Sequence, residues 1–248
     1  MEEHIVTKVI KNTKDISTIY FTKKDGSVPN FDAGQYITVL FKDLLPPEGK
    51  AYSLSCRPGL PYLSITVKRV GKYSNRICDL KPGDKFLVSS SYGSLFEDYD
   101  QDITLIGAGV GIAAGLCAFA QAINDTLLKN PKRKVTLLYT NKTIKDICFL
   151  KELEELKEKH PNFKLILHVT REKDAKESTN KNNKDNQIDS KFIKGRFNLE
   201  KYLKDKTLDI TSDFILCGHI NFVKDIYNDL LKCKVPVEQI STEIFFES

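Results

Sequence analysis

The stretch from Ile103 to Asn124 carries no charged residue, and how it divides decides what the rest of the chain can build. On length alone it could cross a membrane, which takes about 20 apolar residues as one helix. Gly107, Gly109, Gly111 and Gly115 fall inside it, and each weakens a helix interior by about 1 kcal/mol relative to alanine. The division that respects them is a buried strand from Ile103 to Ile106, a glycine turn, and an apolar helix from about Ile112 to Leu128. No membrane span is expected.

The texture of the chain changes at this point. Up to about Glu97, short alternating runs (Ile16 to Thr22, Tyr36 to Phe41, Ala51 to Cys56, Leu63 to Val70) are separated by Asp25-Gly26, Pro46-Pro47, Pro58-Gly59 and Pro82-Gly83. That pattern predicts an antiparallel barrel or sandwich, with room for one short helix from Ser74 to Leu80. After Asp102, apolar strand segments at Val135 to Tyr139, Phe163 to Val169 and Phe214 to Cys217 alternate with helical ones, the mark of a parallel α/β sheet. Asp146 to Lys159 sets Ile147, Leu150, Leu153 and Leu156 near one helical face and reads as a covering helix. Between Glu172 and Lys191 only Ala175 and Ile188 are apolar, so a mobile polar insertion is expected at about 172–191. The expected organisation is a β domain over 1–98 and an α/β domain over 99–248.

Composition narrows the function. A chain of 248 residues with 41% hydrophobic content can bury a real core. The net charge of +5 is small for a dedicated nucleic-acid binder, so no nucleic-acid partner is expected. Six scattered cysteines without a CxxC pair fit no zinc or iron-sulfur ligand set and suit a reduced, cytoplasmic chain. The acidic start Met1-Glu2-Glu3-His4 lacks the basic and apolar segments of a secretory signal. His4, His160 and His168 have no metal-ligand spacing, and no metal site is proposed.

Several short segments could carry chemistry, each with a plain structural alternative. Gly107-Ala108-Gly109-Val110-Gly111, between a strand and a helix, suits a phosphate or a tight packing turn. Ile112 stands where a third fingerprint glycine would be, and no acid ends the next strand at Tyr139-Thr140-Asn141 to bind a ribose. Lys50-Ala51-Tyr52-Ser53 puts a cation, an aromatic plane and a hydroxyl on one extended segment, with Ser53 on the opposite face from Lys50 and Tyr52 unless the strand curves. Gly71-Lys72-Tyr73-Ser74-Asn75 leads into the short helix, where Ser74 serves either a phosphate or an N-cap. Cys217 and His219 suggest a thiol and a base, but they stand two apart on a strand end.

In their order along nearly the whole chain, Gly34-Gln35-Tyr36, Lys50 to Ser53, Gly71 to Asn75, Gly107 to Gly111, Cys217-Gly218 and Glu243-Ile244-Phe245 resemble the ferredoxin-NADP reductase superfamily. The resemblance implies a six-stranded antiparallel FAD-binding barrel, a parallel-sheet NAD(P)-binding domain, and an active site in the cleft between them. Tyr52 would pack on the isoalloxazine, Ser53 would hydrogen-bond near flavin N5, and Lys50 with Gly71, Lys72, Tyr73, Ser74 and Asn75 would meet the FAD pyrophosphate. Ala51, Val67 and Lys68 would complete the FAD site. Gly107, Gly109, Gly111, Cys217 and Gly218 would receive the nicotinamide nucleotide. Thr170-Arg171 and Gly195-Arg196 resemble positions that hold a 2′-phosphate, which favours NADP over NAD. Glu243 would orient the nicotinamide or relay a proton beside Cys217 and Ser53, while Phe245, or its neighbour Phe246, would cover the flavin.

This chain departs from the family pattern with lysine at Lys50 where arginine is usual, Ala113-Ala114 where Thr-Pro or Ala-Pro is usual, and His219 in place of a frequent proline. The implied activity is NAD(P)H-dependent hydride transfer to flavin, with electrons leaving to a separate acceptor protein such as a ferredoxin, flavodoxin, cytochrome or oxygenase component. Reduction of free flavin or ferric complexes is the alternative, as is a nonenzymatic subunit.

Overall fold

The computed structural model describes residues 1–93, 101–112, 132–172 and 192–245, with the side chain of Phe245 outside that set. The alternating N-terminal runs become β1 (Glu2–Lys11), β2 (Ile16–Lys23), β3 (Tyr36–Leu40), β4 (Lys50–Ser53), β5 (Leu63–Lys68) and β6 (Lys85–Val88). They form an antiparallel sheet in the order β4-β3-β6-β1-β2-β5. A bridge between Leu54 and Ile65 joins its two end strands and closes the barrel. Ile19, Phe21, Ile37, Val39, Ile65 and Phe86 fill the interior. The helix α1 (Lys72–Cys78) leans on it through Tyr73, Ile77 and Cys78.

Alternation is obscured in β2 and β5, which are buried on both faces. Ile16 belongs to the core of the second sheet. Beside it the Thr18 and Thr66 hydroxyls are hydrogen-bonded at 2.8 Å, and Thr66 donates to Ser55. Buried hydroxyls need such partners, since an unmet one is costly away from water.

The second sheet contains β7 (Ile103–Ala108), β8 (Val135–Asn141), β9 (Phe163–Val169), β10 (Phe192–Lys194), β11 (Asp213–His219) and β12 (Ile240–Phe245) in the order β10-β9-β8-β7-β11-β12. Every pair is parallel. Strand order reverses at β7, and the crevice beyond the carboxyl ends at such a switch is where open α/β sheets receive ligands. The helices α2 (Leu150–Lys159), α3 (Leu199–Lys204) and α4 (Ile220–Lys232) complete the described elements of this half.

An antiparallel six-stranded sheet followed by a parallel one is the architecture the sequence predicts. The covering helix, expected from Asp146, starts only at Leu150. Thr143 and Asp146 close a tight 3-10 turn through their side chains, and Phe149 stands before the helix with φ 59°. Ile147 and Cys148 are therefore buried by a non-helical segment. Of the helix expected from Ile112 to Leu128, residues 113–128 lie outside the described residues, as do 173–191 of the polar insertion and Phe246. No helix among the described residues is long and apolar enough to cross a membrane.

Candidate functional site

A cleft of about 1490 Å³ runs between the barrel and the carboxyl ends of the parallel strands, larger than the roughly 300–1,000 Å³ of a single-ligand pocket. From the barrel it is lined by Lys50, Ala51, Tyr52 and Ser53 on β4, Val67 and Lys68 on β5, and Gly71, Lys72, Tyr73 and Ser74 at the start of α1. Strict alternation would send only half of β4 there. The strand is short and curls to close the barrel, so all four residues edge the cleft. Gly49, at φ +88°, permits its close approach, because a side chain there would run into the carbonyl of Val39.

Tyr52 is partly buried, and burial holds its phenol well above the ordinary value, so it stands as a neutral aromatic plane. Tyr73 turns its hydroxyl into the barrel, donating to Val39 O at 2.8 Å and accepting from Phe41 N at 3.0 Å. Ser74 Oγ accepts from Val70 N at 2.9 Å and Gly71 N at 3.0 Å and donates to Gly71 O at 3.1 Å. Its hydroxyl therefore ties the turn together, which is the capping alternative, and Gly71, Lys72 and Tyr73 line the cleft beside it. Asn75 lies one turn into the helix, outside the lining residues.

Across the cleft, the glycines differ in what they do. Gly109, at φ +54°, adopts a conformation other residues avoid; its N–H donates to Thr140 O, and its carbonyl accepts from Tyr139 OH. A side chain at Gly111 would place Cβ 2.7 Å from Cys217 O and 2.8 Å from Gly218 Cα, so this glycine lets the turn pass against β11. Gly107 meets neither demand: its nearest neighbours would be at 3.9 Å. Gly109 borders the cleft, while Gly107, Gly111, Cys217 and Gly218 form the buried backbone behind it.

A polar contact joins the two halves. Ser53 Oγ donates to Glu243 Oε1 at 3.0 Å. Glu243 sits on β12 in register with Cys217 on β11, so three residues from distant parts of the sequence converge. Burial raises the Glu243 carboxyl above its ordinary value, and the Ser53 hydroxyl pulls it partly back. Cys217 is fully buried, and burial followed by the Glu243 charge drives its thiol well above the ordinary range. A thiol so disfavoured as thiolate is a poor nucleophile. His219 does not serve as its base: its Nδ1 accepts from Asn221 N at the start of α4.

Thr170, Arg171 and Arg196 gather at the far end of the same cleft. Thr170 N donates to Asn141 O at 2.9 Å and Arg171 N to Lys142 O at 2.7 Å, which fixes the backbone that presents the Arg171 guanidinium. Sequence reasoning passed over Asn141 itself. It ends β8, is 6% exposed, borders the cleft, and neither atom of its carboxamide has a hydrogen-bond partner among the described residues. The signal was its place, since it stands where a ribose-binding acid was sought. Phe245 pairs with His219 through the backbone register of β11 and β12.

Known proteins share this fold. The family described as "Oxidoreductase NAD-binding domain" matches residues 105–228. Flavohemoprotein A of Dictyostelium discoideum is 31% identical over 98% of this chain, which spans 60% of the length of that relative. The flavohem-like FAD/NAD binding domain of nitric oxide dioxygenase from Vibrio cholerae superimposes with a TM-score of 0.77, at 23% identity and with 98% of each chain covered. A ferredoxin NADP+ reductase from Neisseria gonorrhoeae with bound FAD and NADP gives 0.76, at 19% identity and 98% of each chain. With residues 105–228, half of its length, matched, the chain belongs to the oxidoreductase NAD-binding domain family, and its two-sheet fold is the one these reductases have.

Proposed function

We propose that this chain is an NAD(P)H-dependent flavoprotein reductase that binds FAD on the barrel side of the cleft and a nicotinamide nucleotide on the parallel-sheet side, and passes electrons to a separate acceptor protein. The observation that carries the reading is the Ser53–Glu243 contact beside Cys217: it places a hydroxyl and a carboxyl of raised pKa where the two ligand-binding halves meet. Bound FAD would supply an acceptor for two electrons that can be released one at a time. The residues present suit it. Tyr52 offers a plane for a fused ring, Ala51, Val67 and Lys68 border the same cleft, and Lys50 with the backbone of Lys72 and Tyr73 at the start of α1 offers cationic and N–H groups for phosphates.

The chain's own groups divide the remaining work. Ser53 offers a hydroxyl at the cleft wall and Glu243 holds or yields a proton at its carboxyl. Cys217, neutral and buried, packs behind them. Gly109 leaves room for a backbone approach to a diphosphate, and Arg171 and Arg196 provide two guanidinium forks for a 2′-phosphate, which favours NADPH. Phe245, at the end of β12, would cover the flavin until the nicotinamide arrives. Five cysteines among the described residues are free, in keeping with work in a reducing compartment such as the cytoplasm.

The test is to purify the protein with added FAD, record flavin absorbance, and follow NADPH and NADH oxidation with ferricyanide, free flavin and candidate carrier proteins in parallel. Bound flavin with turnover on ferricyanide and a carrier, but not on free flavin, is expected. A preparation that stays colourless with excess FAD would sink the proposal, and turnover confined to free flavin would replace its acceptor.

A further inference from the structure

His168 lies on β9 at 2% exposure, in a layer otherwise built from apolar side chains such as Ile166, Leu199 and Phe197. Buried imidazole nitrogens are generally paired, and here both are. Nδ1 lies 3.0 Å from Gly195 O and Nε2 lies 2.7 Å from Tyr202 OH. A carbonyl can only accept, so Nδ1 carries the hydrogen and Nε2 accepts from the tyrosine. Burial lowers the pKa of the ring, in keeping with this neutral form.

The two partners bracket a short segment. Gly195 follows β10, with its N–H donating to Val169 O at 2.8 Å, and Tyr202 lies on α3, with its N–H donating to Asn198 O at 3.1 Å. Between these anchors stand Arg196, which borders the cleft, and Phe197, whose ring meets the imidazole edge-on at 5.7 Å. One buried ring thus holds both ends of the loop from which Arg196 projects.

We propose that His168 is a positioning residue for nucleotide selectivity: through Gly195 and Tyr202 it fixes the guanidinium of Arg196 where a 2′-phosphate is recognised. The inference rests on the reading that Arg196 faces the adenosine end of the nucleotide. Arginine recognises phosphate through planar geometry, so a loop free to shift loses the contact without losing the charge.

The test uses binding rather than turnover. Dissociation constants for adenosine 2′,5′-bisphosphate and for AMP are measured by calorimetry on the FAD-treated full chain as wild type, His168→Gln, Tyr202→Phe, Arg196→Ala and the His168→Gln/Arg196→Ala double variant. His168→Gln should weaken the bisphosphate about tenfold, the scale of one charge-assisted contact, and leave AMP unchanged. It should add nothing to Arg196→Ala. Tyr202→Phe keeps the ring volume and should shift the same ratio less, so it answers the question if His168→Gln does not fold. Loss of bisphosphate binding in Arg196→Ala with wild-type ratios in both other single variants would overturn the positioning role and leave the 2′-phosphate reading standing. Equal weakening of both probes in His168→Gln would also overturn it, as a general structural effect. A wild type that binds both probes alike would overturn the 2′-phosphate reading and the positioning role together.

Discussion

Ser53→Ala removes one hydrogen bond across the cleft, and its effect is carried by Glu243. The carboxyl is raised from its ordinary 4.5 by burial and lowered again by the Ser53 hydroxyl. A hydrogen bond to a charged group contributes about 1.5–3 kcal/mol. Glu243 is only partly buried, so the lower end of that range, about 1.5 kcal/mol, applies. A carboxyl whose folded pKa exceeds its unfolded value binds more protons in the native state. Its effect on stability is nil below the unfolded pKa, grows unfavourable as pH rises towards the folded pKa, and is constant above it. In the wild type this decline starts near 4.5 and ends at the raised value.

Without Ser53 the decline continues to higher pH and takes about 1.5 kcal/mol more from the neutral-pH stability. Glu243→Gln cannot ionise and has no such slope. Urea unfolding of wild type, Ser53→Ala, Glu243→Gln and the double variant, from about pH 4 to about pH 8, reads this directly. The difference between wild type and Ser53→Ala should be smallest at the acid end, where the neutral carboxyl accepts a weaker bond, grow with pH, and lose its pH dependence in the Glu243→Gln background. A constant offset at every pH would refute the reasoning, because the hydroxyl would then not be acting on the carboxylate.

Gly111→Ala should destabilise by about 1–3 kcal/mol or more, since its new Cβ meets backbone atoms of Cys217 and Gly218 that cannot swing aside; an unchanged Tm would contradict the close approach. Tyr73→Phe strands Val39 O and Phe41 N inside the barrel, for a loss of about 1–3 kcal/mol in chemical denaturation; wild-type stability would mean that the phenol is not shared between them. Asn141→Leu removes a buried, unpartnered carboxamide and should leave the ligand-free chain equally or more stable, by up to about 1–3 kcal/mol, and a clear drop in Tm would reveal a partner for that amide.

How much of this was legible depends on the range of the interactions that decide each element. Phe163 to Val169 was read to the residue because a short apolar run flanked by polar residues has one reading. Ala51 to Cys56 was read too long: β4 stops at Ser53, where Leu54 turns to bridge Ile65 and close the barrel, and closure is a property of the whole sheet. The start of α2 was misplaced because the apolar spacing through Ile147 continues past a turn that Thr143 and Asp146 impose. For the site, the resemblance carried by the order of short motifs implies a cleft between the two sheets, and most of the residues it names line one. The approach of Glu243 to Ser53 and Cys217 is legible only through the family resemblance, since 190 positions separate the hydroxyl from the carboxyl. The unmet amide of Asn141 and the clamp at His168 arise only when strand and helix segments are packed together, which local pattern does not record.

The residues of the Ser53–Glu243 contact are separated by 190 positions, which gives the site a history as well as a geometry. Ser53 takes its place when the barrel closes, with partners drawn from the first part of the chain. Glu243 arrives only when β12 docks in parallel on β11, a pairing that waits on the crossover through α4. Non-local parallel pairing is slow because chain closure must precede its reward. A barrel folded early during synthesis would thus carry its half of the cleft for some time before the carboxyl appears. Release of β12 from the sheet edge would return the site to that earlier state, with Ser53 in place and its carboxyl partner gone.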